Sequence, residues 1–189
     1  MTFHDNPNTI ASLVNRAQHG DPGSVGALYE AFRLSIYRYM FYRTGDAQTA
    51  DDLTSEVFLR MIRGLAGYRQ QEVSFQAWLF QIAHNLLTDH YRKMSVRNHI
   101  SLEEQEMTMQ EPKESAHTDR SLNSVTLRQA LNRLNSEQRD VIVLRFVAGM
   151  PIAEVAQALN KSEDAIKGLQ RRALAELREV LADWEVHYA

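Results

Sequence analysis

Apolar residues recur along this chain at three- and four-residue steps, the spacing that gathers them on one face of an α-helix. In Ser24–Arg43, Leu28, Phe32, Ile36, Tyr39 and Met40 share such a stripe, and Thr44, Gly45 and Asp46 interrupt it. A second helix is expected over about Ala47–Leu65. Its inward positions are Ala50, Leu53, Val57 and Met61, and its opposite face carries Asp52, Ser55, Glu56, Leu59 and Arg60. A loop follows at Gly67–Ser74. The next pattern predicts a long helix over about Phe75–Met94, with Phe75, Trp78, Leu79, Ile82 and Leu86 inward and Phe80, His84 and Tyr91 on the far side. It ends in a basic tail of Arg92, Lys93 and Arg97.

The periodicity then stops. Ser101–Arg120 reads SLEEQEMTMQEPKESAHTDR, with few large apolar residues and a proline. Such a segment cannot bury a face of its own and is expected to be a flexible tether. Helical spacing resumes in Leu122–Leu134, and Ser136 is placed to cap a further helix running to about Val147. Gly149 suits the left-handed position beyond it.

The last stretch carries the sharpest pattern. Ile152, Val155, Ala156 and Leu159 fall at i, i+3, i+4 and i+7. Asn160 tolerates left-handed backbone, and Ser162 can cap the next helix, whose positive end Glu163 and Asp164 favour. In that helix Ile166, Leu169, Ala173 and Leu177 point inward. Asp164, Lys167, Gly168 and Arg171 point outward, with Arg172 on the flank. The small Ala156 lets the two helices cross closely. This is the logic of a helix-turn-helix, whose second helix enters the major groove. Its cations can reach phosphates or guanine edges.

Composition narrows the class. Few β-branched runs and abundant Leu, Ala, Arg, Glu and Gln favour an all-α fold, and 189 residues suit one larger domain or two small ones. The absence of cysteine excludes disulfides, thiolate zinc sites and thiol redox chemistry. No stretch approaches the ~20 apolar residues that span a bilayer. No basic start followed by an apolar run opens the chain, so a cytoplasmic location without membrane insertion is expected. The net charge is −3, unusual for a DNA binder acting alone, since phosphate neutralisation supplies most of such affinity. The acidity sits in residues 98–124, with six Asp/Glu against two Lys/Arg, while residues 125–189 hold nine of each.

Other chemistries find little support. His84, Asp89 and His90 could suggest a metal enzyme, but a six-residue step puts the two histidines on different helix faces. No nucleophile–base pairing or glycine-rich phosphate loop is present. No enzyme, cofactor or metal is therefore expected. A stand-alone transcription regulator with a helical sensor domain is the alternative, separable by its binding duplex DNA without help.

Three quoted segments carry a resemblance to one family. LNSEQRDVIVLRFVAGMPIAEVAQALNKSEDAIKGLQRRALAELR resembles the fourth domain of bacterial extracytoplasmic-function sigma factors. TADDLTSEVFLRMIRGLAGY and SFQAWLFQIAHNLLTDHYRK resemble their second domain. The resemblance covers roughly residues 10–180. It implies a second domain over residues 1–97, a linker over 98–121 and a fourth domain over 122–189, the last a four-helix domain holding the helix-turn-helix.

The implied roles follow by position. Asp52, Ser55, Glu56, Leu59 and Arg60 match the helix that docks on the clamp coiled coil of the polymerase β′ subunit. The β flap is the second contact that the family makes on core polymerase. Tyr68, Arg69, Phe75, Asn85, Arg92 and Lys93 lie at or near positions that open the −10 element and hold its unstacked bases. Ser162, Asp164, Lys167, Gly168, Arg171 and Arg172 match positions that read the −35 element. Trp78 falls on the inward stripe and is expected in the core. Pro151 replaces the usual Ser or Thr cap, Gly168 offers no side chain where others often have one, and Gln170 intrudes near the apolar face. The resemblance further implies an anti-sigma partner and places the acidic tether along the RNA exit channel. If polymerase supplies most of the DNA affinity, the acidic balance is explained, and the isolated chain should bind promoter DNA weakly.

Overall fold

The computed structural model describes residues 7–101 and 122–188. Among them every regular element is helical: α1 (Pro7–Gln18), α2 (Pro22–Thr44), α3 (Ala47–Gly64), α4 (Phe75–Ser101), α5 (Leu122–Arg133), α6 (Ser136–Ile142), α7 (Ile152–Leu159) and α8 (Glu163–Tyr188). A 3-10 turn, Leu65–Gly67, follows α3, and a π-type turn, Val143–Val147, follows α6.

The breaks are local chemistry. Gly45 takes φ 74° and its N–H donates to the Phe41 carbonyl at 2.8 Å, closing α2. Asp46 then caps α3, accepting from Thr49 N at 2.7 Å. The cap of α6 differs from expectation. Asn135, not Ser136, accepts from Gln138 N, and the Gln138 side chain answers to the Asn135 N–H. This reciprocal box satisfies two otherwise orphaned donors. It leaves the Ser136 hydroxyl free to accept from Arg43. Gly149 adopts φ 71°, as the sequence requires beyond that helix.

The inward stripes land in the core. Leu28, Phe32, Ile36, Tyr39 and Met40 of α2 are buried, and so are Ala50, Val57 and Met61 of α3. Val14 and Ala17 of α1 join them. The C-terminal helices bury Leu131, Leu134, Val155, Leu159, Ile166 and Leu169.

The two helical units are not held apart. Their apolar interiors form one continuous cluster, with α4 laid against α7 and α2 against the π-type turn. The reason lies in α4. A surface helix normally buries one stripe; α4 buries two adjoining ones. Gln76, Phe80 and His84, at i, i+4 and i+8, form the second. Gln76 Nε2 donates to the Ala148 carbonyl at 3.4 Å, Phe80 has 0% exposure, and His84 Nδ1 lies 3.6 Å from an Asp140 carboxylate oxygen. The side read as lying away from the inward stripe is thus a docking face for the C-terminal unit. The tether expected over residues 98–121 starts later than that: 98–101 continue α4 to Ser101, and 102–121 lie outside the described residues.

Candidate nucleic-acid and polymerase interfaces

The helix-turn-helix is built as its residue types dictate. Pro151 sits at the N-cap of α7 without a side-chain cap, and its carbonyl accepts from Val155 N at 3.0 Å. Asn160 ends α7 in the left-handed region at φ 52°, ψ 49°. Lys161 N returns to the Ala156 carbonyl at 2.9 Å, and Ser162 Oγ accepts from Ala165 N at 3.2 Å to start α8. Asn160→Ala is expected to cost about 1–2 kcal/mol, because Cβ clashes with the following carbonyl in this region. Asn160→Gly should be nearly neutral in the same urea titration.

The outward face of α8 matches expectation. Asp164, Lys167, Arg171 and Arg172 are exposed and Gly168 is half-buried. Lys167 Nζ pairs with Asp164 at 3.1 Å and lies 4.0 Å from Glu163. Exposed pairs of this kind are weak, so Lys167 can be drawn off by a phosphate. A shallow groove lined by Lys167, Gln170, Arg171, Leu174 and Arg178 runs beside this row. Leu174 and Arg178 were not read from the sequence; they extend the face by one and two turns. Gln170 is explained by Arg145, whose Nε donates to Gln170 Oε1 at 3.0 Å and whose guanidinium also reaches the Met150 carbonyl. That tie fixes α8 against the turn that precedes α7.

On the other unit, the polar face of α3 is open. Asp52, Ser55, Leu59 and Arg60 are exposed, with Leu59 at 47%. Glu56, half-buried, pairs with Arg60 at 2.9 Å. Ile62, at 51% exposure, extends the same face and was missed because its stripe was read only to Arg60. Two bare aliphatic side chains thus sit beside the carboxylates.

The −10 set divides. Arg69, Asn85, Arg92 and Lys93 are exposed. Asn85 and Arg92 share a polar stripe of α4 with Gln81 and Thr88, at i, i+4, i+7 and i+11, which the apolar reading passed over. Arg92 pairs with Asp89 at 3.2 Å. Arg97 falls on α4, but its side chain lies outside the described residues. Tyr68 and Phe75 are corrections. Both are buried at 4% exposure, so neither offers a ring to a base in this arrangement. They pack edge-on against each other and tilted against Trp78, with centroids 5.6 Å, 4.9 Å and 5.6 Å apart. Aromatic pairing beyond plain burial holds them there. The Tyr68 hydroxyl donates to the Val73 carbonyl at 2.8 Å. Burial, with Glu154 nearby, pushes that phenol up to about 12. Trp78 reaches back to α3, where any Cβ at Gly64 would lie 3.2 Å from its ring.

Among the described residues no group of acidic or histidine side chains is placed to hold a metal ion, and no helix is long and apolar enough to cross a membrane.

Residues 28–96 match Sigma-70 region 2, and residues 130–179 match Sigma-70, region 4. The chain is 31% identical over 159 residues to the ECF RNA polymerase sigma factor SigX of Bacillus subtilis, covering 80% of each. The chain belongs to the ECF sigma factor family. It is also 39% identical over 176 residues to the ECF sigma factor BldN of Streptomyces coelicolor, covering 92% of this chain and 66% of BldN. Its fold matches two solved structures. One is CnrH in complex with the cytosolic domain of CnrY, at 24% identity and TM-score 0.69, over 90% of this chain and 96% of that one. The other is RpoE of Bartonella quintana in complex with the anti-sigma factor NepR, at 20% identity and TM-score 0.68, over 83% and 96%. An ECF sigma factor is a transcription initiation factor and not an enzyme, in line with the sequence reading.

Proposed function

We infer that this chain is a sigma factor that binds core RNA polymerase and directs promoter-specific initiation in the cytoplasm. The residues up to the end of α4 would engage polymerase and the −10 element, 102–121 would tether, and 122–189 would read the −35 element. The observation that carries this reading is the pairing, in one chain, of an exposed carboxylate-and-aliphatic face on α3 with an exposed cationic face on α8. The first suits a basic helical partner such as the β′ clamp coiled coil. The second suits a major groove. The β flap is the proposed second polymerase contact. Within the −10 set, Arg69, Asn85, Arg92 and Lys93 carry the proposal as the structure stands, and Tyr68 and Phe75 would act by shaping the loop beneath them. An anti-sigma factor is the proposed regulator, by analogy with the partner seen on RpoE.

Run-off transcription with core polymerase on genomic fragments tests the assignment. Specific start sites that need both core and this chain support it; their absence overturns it. A gel shift that is strong without core would favour the stand-alone regulator instead.

Gly168 gives a separate prediction. An added Cβ there would meet only Arg172 Nη1, at 3.6 Å, an ordinary contact. Packing therefore does not require glycine. Gly168→Ala should stabilise the helix by about 1 kcal/mol, seen as a rise in Tm of about 2–4 °C. Bare backbone at that position allows close approach to a ligand, so the same variant should weaken discrimination among −35 sequences. A thermal melt alongside run-off on −35 variants separates the two effects.

A further inference from the structure

Gln18 ends α1, and its half-buried side chain reaches a distant part of the chain. Its Nε2 amide donates to the Leu65 carbonyl at 2.9 Å and to the Tyr68 carbonyl at 3.0 Å. Both N–H groups of the amide are thereby used. They grip the two ends of one short segment, the 3-10 turn that leaves α3 and the first residue of the loop before α4. The residues that match Sigma-70 region 2 begin at 28, so α1 lies ahead of that match.

The base of this arm is rigid. Val14 and Ala17 seat α1 in the core. Two backbone bonds close its end, Gly20 N to the Ala17 carbonyl and Asp21 N to the Arg16 carbonyl, each at 3.1 Å. Gly20 takes φ 86° between them, the left-handed residue that this double closure needs. Asp21 then caps α2, accepting from Gly23 N at 3.1 Å.

The far end is where an anchor matters. Residues 68–74 form no regular element. Tyr68 is extended, at φ −66° and ψ 137°, so the chain changes direction there. Its ring is held by Phe75 and Trp78, and its hydroxyl by the Val73 carbonyl. Gln18 holds the opposite end of the residue, the carbonyl. With ring and carbonyl both fixed, the next peptide is oriented, and the exposed Arg69 follows from it.

We propose that Gln18 is a positioning residue for −10 recognition: its amide, bridging the Leu65 and Tyr68 carbonyls, sets the direction in which the loop presents Arg69.

The role given to Arg69 here rests on the sigma-factor reading. A loop that discriminates bases must meet them in one geometry. Ordering a loop costs conformational entropy, and a loop held ready before binding loses less of it. One neutral amide contributes modestly, but it acts where the loop starts, and a small rotation there displaces every side chain beyond.

Two variants of the full chain test this. Gln18→Leu keeps the bulk and the helix and removes both donors. Gln18→Glu keeps the shape and sets a carboxylate against two carbonyls, so its effects should be the larger. Helical circular dichroism should be unchanged in both. Hydrogen exchange across 65–74 should quicken by about 3–10-fold, roughly the factor that one neutral hydrogen bond supplies, with exchange in α8 unaltered. In run-off with core polymerase, discrimination among promoters that differ only at the −10 element should fall by about the same factor. Discrimination among −35 variants, and the core concentration giving half-maximal run-off, should stay the same. A merely structural role would degrade all three together. Arg69→Ala supplies the coupling arm. Adding Gln18→Leu to it should cost little more, because the amide acts through that side chain. Unchanged loop exchange, quickened exchange with intact −10 discrimination, equal losses at −10 and −35, or additive losses in the double variant would each overturn the proposal. Absence of any run-off from the starting protein overturns the sigma-factor reading instead, and loop exchange alone then decides whether Gln18 holds the loop.

Discussion

Phe80→Ala is expected to lower stability by about 3–5 kcal/mol, the usual cost of emptying a buried phenylalanine site. The ring is fully buried and meets Tyr39 edge-on, with centroids 5.7 Å apart and planes at 75°. Gln76 and His84, one turn to either side, both reach the C-terminal unit. Phe80 therefore lies on the docked flank of α4. That makes its truncation a probe of docking as well as packing. Were the units separate in solution, Phe80 would keep only its contact with Tyr39 on α2, and the change would cost well below that range. The full cost should appear in calorimetry as a fall in Tm of about 10 °C. A small fall would mean that α7 does not cover α4 outside this arrangement.

The same residue shows where sequence reading stops. Helical spacing located α2, α3 and the start of α4 to within a few residues, though α4 runs on to Ser101 past the expected Met94, and the turn chemistry of Gly45, Asn160 and Ser162 placed other helix ends. These are local effects, set by residues three or four apart. Spacing assigns a face to Phe80 and His84 but cannot name what lies across it, because docking on α7 joins positions far apart in sequence. Asp140 is the same case. A carboxylate amid apolar neighbours in RDVIVLRF gives no local sign that its cation sits on α2. Tyr68 and Phe75 failed differently. Residue type says that these rings will stack; it does not say whether on a base or on Trp78. Helix α1 was not recognised at all, although Ile10, Leu13, Val14 and Ala17 recur at i, i+3, i+4 and i+7 and pack on the core, because the periodicity was followed only from Ser24 onward. The α8 face was legible because it needs only its own periodicity. The α3 face was legible as a carboxylate ridge, but its meaning came from the family resemblance.

That ridge carries the largest functional effect. The pair Asp52→Lys and Glu56→Lys is expected to weaken core polymerase binding by at least about 100-fold, because like charges set against a basic partner cost several kcal/mol. Folding should survive. Asp52 is exposed and accepts a single side-chain bond, from Gln48 at 3.3 Å. Glu56 loses its pair with Arg60, a surface contact worth at most about 1 kcal/mol. Thermal melts of the variant should therefore stay close to those of the starting protein. Leu59→Ala supplies the complementary arm. It leaves the charge untouched and removes one of the bare aliphatic groups that a partner would cover, so it should weaken binding with little change in salt dependence. The charge reversal should instead flatten that dependence, since screening then has less attraction to remove. Both are read by titrating labelled chain with core polymerase at two ionic strengths. If the double reversal binds core as well as the starting protein does, the β′ contact lies elsewhere on the chain, and the exposed Leu59 and Ile62 need another partner.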